Sequence, residues 1–407
     1  MRFSFKRIVP ILLALAMCGC SSNTASDSDV NSTASFESVP AANESESVPY
    51  ESGVSSETAA NNSTGINESS KENDDSESKS NSFFTTSSNE STVSENSSNS
   101  DGSDIIIENE IGLSPKAFPD KLEEIPRGYF DTAQEQGTLV DLNYTTYESF
   151  SYVEKTQTLQ KRAVVYLPYG YDENQKYNVF YLMHGGWSNE TTTLGTHGNP
   201  SSMKNVLDNA IADGKIPPLI VVCPTYNNTS GEDSASYSLA LQLTRNYHNE
   251  LINDLIPAVE GKYSSYAAST SAEDLIAARD HRGFGGFSMG SVTTWRTFEY
   301  CLDYFRYFAP SSGSLTTDGG YMDDIVKNSG YDWNDFFLVT MTGTEDFAAS
   351  AFEQQIENMQ NYDSFRYSDT EKDGNLTFRI KEGYSHSGTA AMEYTYNALR
   401  WFWNTNP

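Results

Sequence analysis

A serine bracketed by glycines, Gly286-Phe287-Ser288-Met289-Gly290, constrains this chain more than any other stretch. It fits the G-x-S-x-G pattern, which places a nucleophile on a tight turn between a strand and a helix. The flanking residues suit that context. His281-Arg282-Gly283-Phe284-Gly285 is short and partly apolar, as a buried strand would be. Residues 291–298 read as the start of a helix. Small residues are needed where a turn this sharp brings backbone against backbone. Ser288 is then expected to expose its Oγ at a helix N-terminus, where the helix dipole favours developing negative charge. By itself the pattern is a weak signal, because five residues with three fixed positions recur by chance.

Composition divides the 407 residues into three parts. Residues 1–19 read as a signal peptide: Arg2, Lys6 and Arg7 precede an apolar run, residues 8–17, too short to span a bilayer. The run ends in Gly19-Cys20, a small residue directly before a cysteine. That ending resembles the bacterial lipoprotein cleavage box and implies lipidation at Cys20 after cleavage. An ordinary secretory signal cut nearby is the alternative.

Residues 20–104 read as a disordered acidic tether. Serine supplies 27 of the 84 residues in 21–104, and large apolar side chains are sparse. Such a segment buries too little apolar surface to offset its ordering entropy. It holds 16 acidic residues against Lys71 and Lys79, so −14 of the formal charge of −30 lies there. This acidity argues against nucleic acid as a partner, since phosphate binding needs a basic surface.

Residues 105–407 are long enough for one large domain with its own core. Residues 105–128 read as an irregular lead-in. Strands are expected at 138–147, 162–168, 178–184, 218–224, 304–310, 336–342 and 376–381. Long helical stretches are expected at 239–262, 347–362 and 389–403, with Pro257 kinking or ending the first. After two opening strands, strands and helices alternate. That order predicts an α/β domain with a mostly parallel sheet and helices on both faces. Cys223 and Cys301 are expected to be free and buried. No Cys/His cluster has metal-ligand spacing, and neither G-x-G-x-x-G nor a P-loop occurs, so no cofactor or metal is expected.

A serine hydroxyl needs a base in contact, and the base needs an orienting acid. Functional groups of open α/β sheets gather at the carboxyl ends of the strands. His386 is the only histidine downstream of Ser288, and it lies between the last strand and the last helix. Asp346 directly follows a strand in Gly343-Thr344-Glu345-Asp346, with helix capping as its competing role and Glu345 as the alternative acid. The order Ser288, Asp346, His386 is that of an α/β-hydrolase triad. Oxyanion donors are expected from the backbone N–H groups of Met289 and of Gly186 in Met183-His184-Gly185-Gly186-Trp187. His184 reads as a residue that fixes this loop, and His197, His248 and His281 read as structural or surface. Trp187, Tyr226 and Tyr384 are candidates for binding substrate, though aromatic residues are common throughout.

The segments at 181–186, 253–257, 281–290 and 343–346, with Gly383-Tyr384-Ser385-His386, resemble the esterase D-type esterases. These include bacterial feruloyl esterases and acetylxylan esterases of carbohydrate esterase family 1. The resemblance covers residues 138–403. It implies an α/β-hydrolase fold, a Ser-Asp-His triad, no cofactor, and cleavage of esters on plant cell-wall polysaccharide such as xylan. Ser291 departs from the pattern, since many members have a second glycine there. With the leader, this describes a lipid-anchored esterase on the outer side of a bacterial membrane, removing feruloyl or acetyl groups. The alternatives are a small-ester or siderophore esterase, an acyltransferase of the same fold, or a non-catalytic carbohydrate-binding surface protein.

Overall fold

The computed structural model describes residues 117–404. The expected leader, Cys20, the tether and the domain boundary near residue 105 all lie outside the described residues. Eight strands form one sheet: β1 (Thr138–Tyr147), β2 (Thr158–Leu167), β3 (Asn178–Met183), β4 (Leu219–Cys223), β5 (Arg282–Phe287), β6 (Tyr307–Ser311), β7 (Phe337–Gly343) and β8 (Leu376–Lys381). Their spatial order is β1-β2-β4-β3-β5-β6-β7-β8. β2 pairs antiparallel with β1 and β4, and every other neighbour is parallel. The mostly parallel sheet expected from the alternation of elements is present.

The central strands are apolar on both sides because both faces of the sheet are covered. In β3, Val179, Tyr181 and Met183 join one core while Phe180 and Leu182 join the other, as the two-residue period of a strand requires. The first core is closed by α2 (Tyr237–Glu250), α5 (Met289–Tyr300), α6 (Gly319–Ser329) and α7 (Ala349–Met359). The second is closed by α1 (Ser202–Ala212) and α8 (Gly388–Trp401). The lead-in, from residue 117, packs irregularly, burying Phe118, Leu122 and Ile125 in the second core.

The helix expected over 239–262 is broken. After α2 comes one π turn, Leu251–Leu255, then two short helices, α3 (Ile256–Glu260) and α4 (Ala272–Ala277). Pro257 has no N–H to donate and crowds the preceding turn, which accounts for the local change of pitch. The expected elements include neither α1 nor α6. α6 begins with two glycines, Gly319-Gly320, which weaken any helical signal. Cys223 and Cys301 are buried and unpaired, as expected.

Candidate active site

Ser288, Asp346, His386 and the Gly185-Gly186 loop follow β5, β7, β8 and β3 respectively. These strands are parallel, so all four groups emerge at one edge of the sheet. Ser288 has φ 60° and ψ −120°, a conformation rarely occupied by a residue with a side chain. Its N–H donates to Ser311 O at 3.0 Å, and its carbonyl accepts from Ser291 and Val292 in the first turn of α5. Glycine is required beside it. A Cβ on Gly290 would sit 2.4 Å from Met183 O, and one on Gly286 would sit 2.6 Å from the Gly290 backbone. Ser291, the departure from the resembling family's pattern, is accommodated: its buried hydroxyl donates to Gly313 O at 2.6 Å.

His386 Nδ1 lies 2.9 and 3.0 Å from the two carboxylate oxygens of Asp346. The carboxylate only accepts here, so Nδ1 carries the proton and Nε2 is left as the acceptor. The Asp346 side chain is fully buried. Burial by itself would favour its neutral form. Hydrogen bonds from His386 and Ala348 N–H, the attraction of the His386 ring once protonated and the nearby Ser312 hydroxyl outweigh that, holding the carboxyl below its ordinary range. The competing capping role is absorbed in the same place. Asp346 Oδ1 accepts from Ala348 N–H at 2.8 Å, while α7 begins only at Ala349. Glu345, the alternative acid, is exposed.

The His386 ring packs on Phe287, the residue before the serine, with ring centroids 4.4 Å apart. It also packs on Phe347, with centroids 4.3 Å apart. Among the described residues no hydrogen bond joins His386 to Ser288 Oγ. Such bonds are often long without substrate and tighten in the complex.

The loop after β3 lies over the serine: a Cβ on Gly185 would be 3.5 Å from Ser288 Cβ. Trp187, Ser188 and Asn189 donate their N–H groups to Ser234 O, Ser234 Oγ and Thr192 Oγ1. No bond from Gly186 N–H occurs among the described residues. Met289 is the first residue of α5, so its N–H has no partner within the helix.

The aromatic candidates separate. Trp187 is 66 % exposed and has φ 53°, so its ring stands out beside the loop. Tyr384 is half-buried and turned inward, its hydroxyl donating to Glu393 at 2.8 Å. Tyr226 is corrected outright. It is 2 % exposed, stacks on His184 at 4.6 Å and donates its hydroxyl to Gly185 O at 2.9 Å, so it supports the loop from behind and does not line a slot. Sequence reasoning missed two residues: Phe347, 82 % exposed on the outer side of His386, and Ser312, whose hydroxyl helps hold the Asp346 carboxyl low while it bonds Thr342 Oγ1 at 3.2 Å. Phe347 follows the acid directly and was legible as a neighbour. Ser312 is brought in by β6, and nothing local marks it. His197, His248 and His281 bond to Leu139 O, Arg245 O and Asn178 Oδ1, away from this edge.

A family model described as "Putative esterase" matches residues 158–363. Endo-1,4-beta-xylanase Y of Acetivibrio thermocellus is 38% identical over 285 residues, which is 69% of this chain and 24% of that protein. An endo-1,4-beta-xylanase/feruloyl esterase of Xylanibacter ruminicola is 28% identical over 193 residues, 46% of this chain and 24% of that protein. The chain thus spans about a quarter of the length of these curated relatives. Among solved structures, a serine-to-alanine mutant of the feruloyl esterase module from Clostridium thermocellum, complexed with sinapinate, has a TM-score of 0.62 and 36% identity. That match covers 70% of this chain and 95% of the module. A ferulic acid esterase from Anaeromyces mucronatus, 20% identical with a TM-score of 0.51 over 69% of this chain and 98% of its own, shares the α/β-hydrolase fold.

Proposed function

This chain belongs to the esterase family whose model it matches, and from that premise we propose that it is a serine carboxylic ester hydrolase acting on acylated xylan. The observation that carries the reading is the bond of His386 to buried Asp346 at the same sheet edge as Ser288 in its strained turn. Ser288 Oγ attacks the ester carbonyl while His386 Nε2 takes its proton. The N–H groups of Met289 and Gly186 receive the oxyanion. Collapse expels the sugar hydroxyl, which recovers the proton from His386. Water, deprotonated by the same ring, then releases the acid from the acyl-enzyme.

A hydroxycinnamoyl ester, feruloyl or sinapoyl, is the favoured acyl class. Its support is the 36% identical feruloyl esterase module that binds sinapinate, together with the exposed rings of Trp187 and Phe347 beside the site. Acetyl is the other member of the class implied by the sequence. The test is turnover of methyl ferulate beside acetylated xylan, each with wild type and Ser288→Ala. Release of ferulate that Ser288→Ala abolishes supports the reading. Release of acetate alone moves the acyl assignment, and an active Ser288→Ala removes the mechanism.

We further infer export and anchoring through Cys20, with residues 21–104 giving reach to a large external substrate. The support is the sequence alone: the basic start, the apolar run, Gly19-Cys20 and the serine-rich composition.

A further inference from the structure

The loop that would hold the oxyanion is clamped by a chain of buried polar groups that reaches back to a charged pair. Gly185 O accepts from His184 Nδ1–H at 2.7 Å and from Tyr226 O–H at 2.9 Å. A carbonyl cannot donate, so the proton of neutral His184 is on Nδ1, and Nε2 must accept. Its donor is Thr225 Oγ1, 2.7 Å away. Thr225 Oγ1 in turn accepts from Asn227 N–H. Thr225 O accepts from Lys161 Nζ at 2.7 Å. Lys161 Nζ is paired at 2.8 Å with Glu250 Oε2, and Glu250 Oε1 accepts from Tyr144 O–H. His184, Thr225, Tyr226, Lys161 and Glu250 are all under 9 % exposed.

The geometry of one peptide unit gives this chain of bonds its consequence. In a planar trans peptide the C=O of one residue and the N–H of the next point in opposite directions. Two donors pull the Gly185 carbonyl to the buried side. The Gly186 N–H is thereby turned to the opposite side, and Gly185 itself lies against Ser288, where an added Cβ would be 3.5 Å from the serine Cβ. With only one donor a glycine-glycine link can flip, since neither residue restricts its own dihedrals. A buried Lys–Glu pair is an expensive way to hold a single carbonyl, because both charges must be desolvated. Its site is also unusual. Glu250 is the last residue of α2 before the π turn, and such turns concentrate at functional sites. Burial, with the Lys161 charge acting in the same direction, keeps the His184 ring neutral and so preserves the donor-acceptor order of the chain.

We propose that Thr225, Tyr226 and the Lys161–Glu250 pair are positioning residues for ester hydrolysis, fixing the Gly185–Gly186 peptide so that its N–H meets the oxyanion formed at Ser288. The proposal rests on the roles given above to Ser288 and Gly186. All four are buried behind the loop. Their effect is on the transition state, in which the oxyanion exists, and not on the ground-state complex.

The experiment uses the full chain with Thr225→Val, which keeps shape and deletes the hydroxyl, and Tyr226→Phe, which deletes a single oxygen. Thr225→Ser restores the hydroxyl. Turnover of a soluble aryl ester is measured together with the affinity for an aryl boronic acid, which forms a tetrahedral adduct on a serine. Binding of the free product acid reports the ground state. Thr225→Val and Tyr226→Phe are each expected to lower kcat by about tenfold or more, with KM changed by less than about twofold. Boronate affinity should fall in parallel, product affinity should hold, and Thr225→Ser should recover both losses. Unchanged kcat and boronate affinity in both Thr225→Val and Tyr226→Phe would overturn the proposal. So would an equal loss of boronate and product affinity, which is the mark of a merely structural role. Ser288→Ala is run beside them. If it stays active, the reading on which the clamp rests fails first, and it does so independently of the Thr225 and Tyr226 results.

Discussion

Asp346 accepts from His386 Nδ1 on both carboxylate oxygens, at 2.9 and 3.0 Å, although forty residues separate them in the chain. The bond orients the ring with its free Nε2 available, and the buried carboxylate stabilises the imidazolium that forms when that nitrogen takes a proton. Ser288→Ala and His386→Ala are therefore each expected to lower kcat by several orders of magnitude, with the fold retained. Asp346→Asn should lose as much or somewhat less, since the amide favours the wrong tautomer. Glu345→Gln should leave kcat unchanged, because Glu345 is exposed and its N–H is already used on Tyr384 O. Initial rates on a soluble ester and circular dichroism decide this set. A damaging Glu345→Gln would move the acid by one residue.

Acid should act on turnover and on stability separately. A histidine base must be neutral to accept a proton, so turnover declines as acid protonates it. A rate that does not fall in acid would remove histidine from the role.

Stability follows a buried group instead. Burial, aided by the Lys161 charge and opposed by the bond to Gly185, lowers the His184 pKa from 6.5 to about 4. Between those values the unfolded chain binds a proton there and the folded chain does not. Unfolding free energy therefore falls as pH drops through this window, by about 3 kcal/mol from this group, and the loss levels off below it. His281, also lowered to about 4 by burial but more open to solvent, adds a smaller loss with the same sign. Asp346, held below the ordinary carboxylate range, contributes stability that persists until the pH falls through its own lowered pKa. Urea titrations between pH 7 and pH 4 check this, and a constant midpoint across that range would contradict it.

The turn around the serine leaves no room for a methyl group. Gly290→Ala would place a Cβ 2.4 Å from the Met183 carbonyl, so β3 or α5 must move. The expected cost is about 1–3 kcal/mol of stability, with at least a tenfold loss of kcat through displacement of Ser288. Gly128→Ala is the control, since no atom lies within 4 Å of its added Cβ. Its effect should be near zero or slightly stabilising. Thermal melts and initial rates of the two variants should separate clearly.

The proposed anchor and tether make one joint prediction. If Cys20 carries the proposed lipid anchor, Cys20→Ala should shift the protein from the membrane fraction to the medium, because lipid chains would supply the anchoring free energy. Deleting residues 21–104 should leave the rate on a small soluble ester unchanged while reducing attack by whole cells on insoluble polymer. Loss of small-ester activity in the deletion would place part of that segment in the fold and move the boundary upstream of residue 105.

Local sequence carried what local chemistry determines. The bounds of β1 and β8 were readable from alternation and flanking turn residues, and the strand-turn-helix around Ser288 from its glycines. The placement of His386 and Asp346 was readable because strands ending at a common edge present the residues that follow them together. Helix α6, starting on two glycines, was not readable, since propensity opposed it and packing of Met322 and Val326 overrode it. The sequence by itself therefore determined the class of fold, the nucleophile turn and the chain order of three reactive groups, all of which depend on contiguous residues and their periodicity. Only the tertiary structure decided that Tyr226 turns its hydroxyl inward to Gly185, and that Lys161 and Glu250 meet behind Thr225. Those contacts join residues from different strands and helices. Their energy comes from satisfying buried polar groups, and which partner satisfies each one is set by where the sheet brings the backbone, not by the residues next to it in the chain.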